Sequence, residues 1–382
     1  MIIFPLLQFL AGTGPFPEEY TQPSASFLSW LGWNRLGPLL YFRLQQTGGE
    51  ESAHILYSFL KEEYRKSVLR SLQQEAVLRD VSTILKAENI RFLVLKGMAL
   101  KHTVYPHPAC KPMADIDILP EPGKEQTAWK MMQNSGFRQI HYSESGFVEN
   151  LRHHLPALEK NGTVVELHKH ILNPAVYGDF PAEELWTNPS LLKIGNQEYL
   201  TLSPEHFLFH MENHLKKHFD EGLVRLIWLT DMGFFLKANA ASINFGKVHS
   251  LLHSEANKPG NVSFITLAAK VFHINLQQEF DNQNFNTHFI SHFLSKSYPV
   301  NAKSFFRARF YLKNLKGKEL FRYCISKIFP SSSYLRYYFP SSGKTPVFLL
   351  YPFLYLKYLS RFARYFIFRI RSGFKSLLNS LL

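Results

Sequence analysis

The chain has 382 residues, 46% of them hydrophobic and 19% charged, which is enough apolar material for one large domain or roughly two or three modest ones and excludes wholesale disorder or a collagen-like fold. Its two cysteines, Cys110 and Cys324, are far apart and form no C-x-x-C pair, so neither a disulfide framework nor a thiolate zinc site is expected, and a cytoplasmic setting is the natural reading. The net charge of +13 is unevenly spread: residues 303–382 carry 16 Lys or Arg and one acid, Glu319, so the remaining residues sum to −2 and the basic character belongs to the C-terminal region.

The N-terminal MIIFPLLQFLAGTG is apolar, but it lacks a preceding basic stretch and Pro5 interrupts it, so it reads as part of the fold and not as a secretory signal. Residues 1–66 are loosely helical, punctuated at Gly12 to Pro17 and at Gly48-Gly49. From Ser67 the pattern sharpens, and Leu69, Leu72, Ala76, Val77, Leu78, Val81, Ile84 and Leu85 predict one apolar helical stripe ending near Glu88-Asn89. IRFLVLKG then predicts a strand closed by Gly97, followed by a short helix, the Pro-rich loop YPHPACKP and a second strand, ADIDILP. Residues 123–134 suit a helix, with strand-like pieces around 137–142 and 152–158. A turn at Lys160-Asn161-Gly162 leads into TVVELHKHI, which makes a hairpin of the last two strands. Beyond Asn173 the chain is expected to be mainly helical, Ser203 serving as an N-cap with Pro204 in the first turn. No uncharged apolar run approaches the roughly 18 to 20 residues that span a bilayer.

The chemistry concentrates at Asp115-Ile116-Asp117. Side chains alternate along a strand, so the two carboxylates project to one face while Ile116 and Ile118 turn to the core. Two adjacent anions repel unless a cation lies between them, and hard oxygen donors without cysteine favour Mg²⁺ or Mn²⁺ over zinc. Lys96-Gly97, at a strand end opening into a helix, is suited to holding polyphosphate. Glu166 adds a third carboxylate in an otherwise apolar strand, sharing its face with His168.

LKGMALKHTVYP, KPMADIDIL and VVELHKHI, in that order, resemble the uncharacterised bacterial nucleotidyltransferase family, a branch of the DNA polymerase beta-like superfamily; FPSSSYLRYYFP and LLYPFLYLKYLSRF look like its C-terminal region. The resemblance implies an α+β fold in which a small mixed sheet is flanked by helices, followed by a C-terminal helical domain and a basic aromatic tail. The expected boundaries are 1–66 for an N-terminal helical segment, 67–172 for the nucleotidyltransferase core, 173–300 for the helical domain and 301–382 for the tail. It implies transfer of an NMP from an NTP to an acceptor hydroxyl or phosphate, with Asp115, Asp117 and Glu166 as catalytic residues and as ligands of Mg²⁺ or Mn²⁺, and with pyrophosphate leaving. Lys96, Gly97, Lys111 and His168 are the implied nucleotide contacts. The sequence departs from the superfamily pattern at Met98, where Ser or Gly is usual, and at Lys111, where relatives often carry Arg.

Other clusters carry weaker chemistry. His206, His210, His214 and His218 repeat every four residues without the H-E-x-x-H order of a metalloprotease, and are expected to line a helix face packed on the core. One of His153 and His154 is expected to face the cleft, and Asp231 to pair with Arg225 or another base. In the tail, Lys357, Arg361, Arg364, Phe368 and Arg371 at helical spacing describe a basic amphipathic helix that packs on the protein, rests peripherally on an anionic membrane surface through residues 345–382, or binds nucleic acid, the last being the least favoured. Two rival functions remain: a binding protein with vestigial acids that uses this tail, and transfer of another group, such as a sugar, from a nucleotide donor.

Overall fold

The computed structural model describes residues 3–48, 54–174, 180–253, 263–276, 311–312, 314–343 and 345–360, with positions 290, 293, 294, 297 and 363. The chain forms two compact units, one of residues 1–140 with 152–299 and one of residues 141–151 with 300–382.

The first unit opens with four helices: α1 (Ile3–Ala11), α2 (Ala25–Asn34), α3 (Gly37–Gln46) and α4 (His54–Lys86). The Ser24 hydroxyl caps α2 by accepting from the Phe27 N–H, and Arg35 closes it in the left-handed region at φ 58°. Helix α4 starts well before the expected stripe, because Leu56 and Leu60 continue its buried face. The middle of that face departs from expectation. Leu69 and Leu72 are exposed, and the buried positions there are Ser67, Ser71 and Gln74. The Ser67 hydroxyl donates to the Ala109 carbonyl, Gln74 donates to the Met113 carbonyl, and the Ser71 hydroxyl accepts from Lys101. This polar stretch satisfies the backbone of the loop that delivers Asp115, a demand an apolar stripe cannot meet.

The sheet has seven strands: β1 (Phe92–Val94), β2 (Asp115–Pro120), β3 (Arg138–Gln139), β4 (Leu158–Lys160), β5 (Thr163–Leu167), β6 (Ser190–Ile194) and β7 (Gln197–Thr201), in the order β3-β4-β5-β2-β1-β7-β6. Strand β2 runs antiparallel to β1 and parallel to β5, so it lies at the centre with both neighbours carrying chemistry. The β4–β5 hairpin turns on Asn161 and Gly162, both with positive φ, as a two-residue turn requires. The β6–β7 hairpin lies where only helix is expected; β7 pairs parallel with β1 and extends the sheet past it. Helices α5 (Lys96–Thr103) and α6 (Glu125–Asn134) follow β1 and β2. The architecture is the mixed α/β core with flanking helices that the sequence leads one to expect.

Among the described residues the unit continues with the helices α7 (Pro204–Asp220), α8 (Leu226–Asn239), α9 (Phe245–Leu252) and α10 (Phe264–Phe272). Asn34 fastens the end of α2 to the start of α8: its side-chain carbonyl accepts from the Leu226 N–H at 2.8 Å, and its amide donates to the Trp30 carbonyl. On α7 the buried Glu212 carboxylate accepts from the first backbone N–H groups of α10, those of Phe264 and Ile265, each at 2.9 Å.

In the second unit the short helix Gly146–Asn150 packs on α11 (Gly317–Ile328), with Ser145 donating to Ser326 and Lys327 paired with Glu144. A small core of Leu335, Leu350 and Leu354 joins α12 (Ser332–Tyr338) to the helical residues 350–360. These form the C-terminal helical, aromatic-rich segment. The expected amphipathic tail helix is helical through residue 360, and Arg361, Arg364, Phe368 and Arg371 lie outside the described residues. Among the described residues no helix is long and apolar enough to cross a membrane.

Burial raises the Glu212 carboxyl to about 7 against the pull of the two backbone N–H groups. The folded chain therefore holds this proton more tightly than the unfolded chain, so Glu212 subtracts stability progressively as pH rises from the ordinary 4.5 to about 7. Urea denaturation of Glu212→Gln and wild type across that range is expected to show wild type losing stability relative to the variant as pH climbs, on top of a constant loss from the weaker cap.

Candidate active site

Asp117 of β2 and Glu166 of β5 are register partners on adjacent parallel strands, so their side chains leave the sheet side by side, with Asp115 two residues away on the same face. Ile116, Ile118, Val165 and Leu167 on the opposite face are fully buried, which fixes the register, since a slip of one residue would turn the acids into the core. The three acids expected from sequence are thus brought to one face. His168 joins them: one donor atom each from Asp117, Glu166 and His168 lie within 4.8 Å of one another. Asp115 is not part of that tight group.

Lys96 reaches into the group from the end of β1, its ammonium donating to Asp117 Oδ1 at 2.7 Å and lying 3.3 Å from His168 Nε2. Its backbone sits at φ 49°, a left-handed conformation costing an ordinary residue about 1–2 kcal/mol, so packing holds this lysine in place against its preference. Gly97 is required by the same crowding, for a Cβ there would lie 3.2 Å from Met113 Sδ and 3.3 Å from Lys111 Cε. His168, fully buried, contacts Asp117 Oδ1 through Nε2 at 2.8 Å while its Nδ1 lies 3.3 Å from the His170 carbonyl. With the proton on Nε2 the ring donates to Asp117; with the proton on Nδ1, toward the carbonyl, Nε2 offers a lone pair to a cation.

The electrostatics are asymmetric. Burial works to raise the Asp117 carboxyl, but Lys96 and His168 hold it well below the usual carboxylate range. Burial and the neighbouring Asp117 and Asp115 push Glu166 up to about 7, and burial and Asp117 raise Asp115. Two carboxylates and an imidazole whose donor atoms surround a single point fit a divalent cation.

Lys111 is 5% exposed and paired with Asp231 Oδ2 at 2.6 Å, and the Tyr105 hydroxyl donates to the other carboxylate oxygen at 2.6 Å. The expected basic partner of Asp231 is therefore Lys111. Both His153 and His154 pack on His168, with ring centroids 5.1 and 6.0 Å away, where only one was expected to face inward. On α7, burial and the charge of Lys96 depress His210, taken to about 3, while His206 instead meets Glu184. The histidine repeat thus turns partly toward the site, as neutral rings.

Two cations stand near Asp115 without having been expected there: Arg35, which the sequence does not single out, and Arg225, expected instead as a partner of Asp231. Arg35, at the left-handed end of α2, and Arg225, the N-cap of α8, both lie in the field of Asp115, and they depress each other's neighbourhood as like charges do. Burial is the main reason both guanidinium pKa values fall, Arg225 to about 10. Arg225 stacks over Trp33 at 4.9 Å and Trp228 at 5.8 Å, and Trp33 donates to the Val224 carbonyl. Among the described residues neither guanidinium has a hydrogen-bonding or ion-pair partner. The only sequence signal was an arginine beside tryptophans, which carries no chemistry until Asn34 brings the two helix ends together.

Residues 22–273 match the profile of a family described as an uncharacterised nucleotidyltransferase, more than half of the chain and all of the site. The chain belongs to this family. No curated protein matches the sequence. Among solved structures, the antibiotic-resistance factor ANT(2″)-Ia is 12% identical with a TM-score of 0.35, covering 48% of this chain and 91% of its own. An antigenic nucleotidyltransferase-like protein from Paracoccidioides brasiliensis is 16% identical with a TM-score of 0.34, covering 55% of this chain and 96% of its own. TM-scores of this size say nothing about substrate.

Because Lys111 and Asp231 are buried together, removing one charge strands the other. Asp231→Asn is expected to cost about 3–5 kcal/mol in chemical denaturation, and adding Lys111→Met to recover most of that loss.

Proposed function

We propose that this family member transfers a nucleoside monophosphate from an NTP to an acceptor hydroxyl or phosphate, releasing pyrophosphate. The observation that carries this reading is the in-register pairing of Asp117 with Glu166 beside Asp115 and Lys96. Asp117 and Glu166, with Asp115 or His168, would hold Mg²⁺ or Mn²⁺. Such ions, when bound, polarise the α-phosphate and neutralise charge on the attacking and leaving oxygens.

The chain's own groups supply the rest. The acceptor oxygen attacks the α-phosphorus, forming one P–O bond as the bond to pyrophosphate breaks, and its proton passes to Glu166. Lys96 keeps Asp117 ionised before the donor arrives and can then exchange that carboxylate for phosphate, aided by Gly97, whose missing side chain lets the backbone approach. Lys111 keeps Asp231 ionised at the wall of the site. Arg35 and Arg225, with donors unspent, are positioned to take the β- and γ-phosphates. His168 selects by its tautomer between supporting Asp117 and facing the cation.

Incubation with labelled ATP, CTP, GTP and UTP in Mg²⁺ or Mn²⁺ is expected to yield pyrophosphate from wild type and at least a hundredfold less from Asp115→Asn combined with Asp117→Asn, on the order of a lost electrostatic stabiliser. Equal release by both, or Mn²⁺ binding in electron paramagnetic resonance that the substitutions leave unchanged, would overturn the reading. In the same assay Arg35→Ala and Arg225→Ala are each expected to raise the KM for the donor about tenfold, one charge-assisted contact apiece, with kcat less affected.

A further inference from the structure

The second unit turns apolar side chains outward in a repeated pattern. On α11, Phe321, Ile325 and Ile328 are between 39% and 66% exposed at helical spacing, while Tyr323 and Ser326 are buried. Across residues 349–356 the pattern recurs: Leu349, Phe353 and Leu356 are between 46% and 63% exposed, while Leu350 and Leu354 are buried. Each helix has therefore already filled its inner face, and the outer stripe is surplus, where a surface helix ordinarily presents polar groups. The two helices are tied together, since the Tyr355 hydroxyl donates to the Ile328 carbonyl at 2.8 Å and the Tyr351 hydroxyl to the Pro330 carbonyl at 3.0 Å.

Charge identifies the occupant. Lys318, Arg322 and Lys357 lie exposed on the same two helices, and residues 303–382 contain one acid against 16 basic residues. A second copy would bring the same positive charge to the same face and be repelled. Nucleic acid would satisfy the cations but leave the Ile and Leu stripes with nothing to bury. A bilayer with anionic headgroups meets both demands, acyl chains for the stripes and phosphates for the cations.

We propose that this unit docks the protein peripherally on an anionic lipid surface through the Phe321/Ile325/Ile328 and Leu349/Phe353/Leu356 stripes. The full-length protein would be sedimented with vesicles of phosphatidylcholine alone and of phosphatidylcholine mixed with phosphatidylglycerol. Binding at least about tenfold tighter to the mixed vesicles is expected, weakening as salt is raised. Phe353→Ser with Leu356→Ser, and separately Phe321→Ser with Ile325→Ser, should each reduce it about tenfold while the unfolding midpoint and nucleotidyl transfer stay unchanged, because these side chains are exposed and remote from the acids in sequence and sheet. Lys318→Glu with Arg322→Glu gives a second route that leaves the stripes intact and should also weaken binding. The proposal is overturned by equal affinity for neutral and anionic vesicles, by stripe variants that bind like wild type, or by a wild-type dimer in analytical ultracentrifugation that the stripe variants alone lose. A single-stranded oligonucleotide bound through the same stripes would equally sink it.

Discussion

The parallel pairing of β2 with β5 is the constraint on which the site depends. Because Asp117 and Glu166 are register partners, two carboxylates must leave the sheet within reach of each other, and the apolar residues between them prevent any escape by slippage. Like charges forced together in a partly dry place cost stability, and the fold offsets that cost with Lys96 and with a proton on Glu166 near neutral pH. A protein concerned only with stability would replace such a cluster with apolar residues at little loss. Its position on the central strand of the sheet makes sense as a place prepared for charge that comes and goes.

Around that centre the cations form two classes. Lys96 and Lys111 are spoken for, each within 2.7 Å of its own carboxylate, and their work is to hold acids ionised. Arg35 and Arg225 are held by packing, stacking and a backbone clamp, and among the described residues no acid lies at contact distance of either guanidinium. Both arginines come from helix ends outside the stretch bearing the three acidic motifs. The phosphate-facing wall, on this view, is assembled from segments nearly 200 residues apart, and the resemblance carried by the motifs could not name them.

Much of the core is legible because strand alternation is unambiguous when carboxylates interrupt apolar runs: spacing puts Asp115 and Asp117 on one face of their strand and Glu166 on one face of its own, the convergence of the three follows from the family resemblance, and the Asn161-Gly162 turn announces its hairpin. The β6–β7 hairpin was missed because its strands are five residues each and alternate only weakly, amid sequence otherwise helical. On α4, Leu69 and Leu72 fit a helical period yet face solvent, since the buried face there carries Ser67 and Gln74, which donate to the Ala109 and Met113 carbonyls of the neighbouring loop, and Ser71, which accepts from Lys101. Alternation puts His168 on the face of Glu166, as a group that orients the carboxylate or donates to phosphate; its contact with Asp117 depends on the register of β5 against β2, which no local pattern reveals.

The Asn34 clamp has a consequence for biogenesis. Its carbonyl waits for an N–H that belongs to Leu226, so the first helices to leave the ribosome cannot be locked until nearly 200 further residues have followed. Translation at about 5–20 residues per second leaves those helices unanchored for ~10 s or more, their apolar faces open to chaperones. A nascent chain that stops short of that point would carry the three acids and Arg35 without Arg225, leaving Asp115 only part of the positive charge that surrounds it in the folded protein.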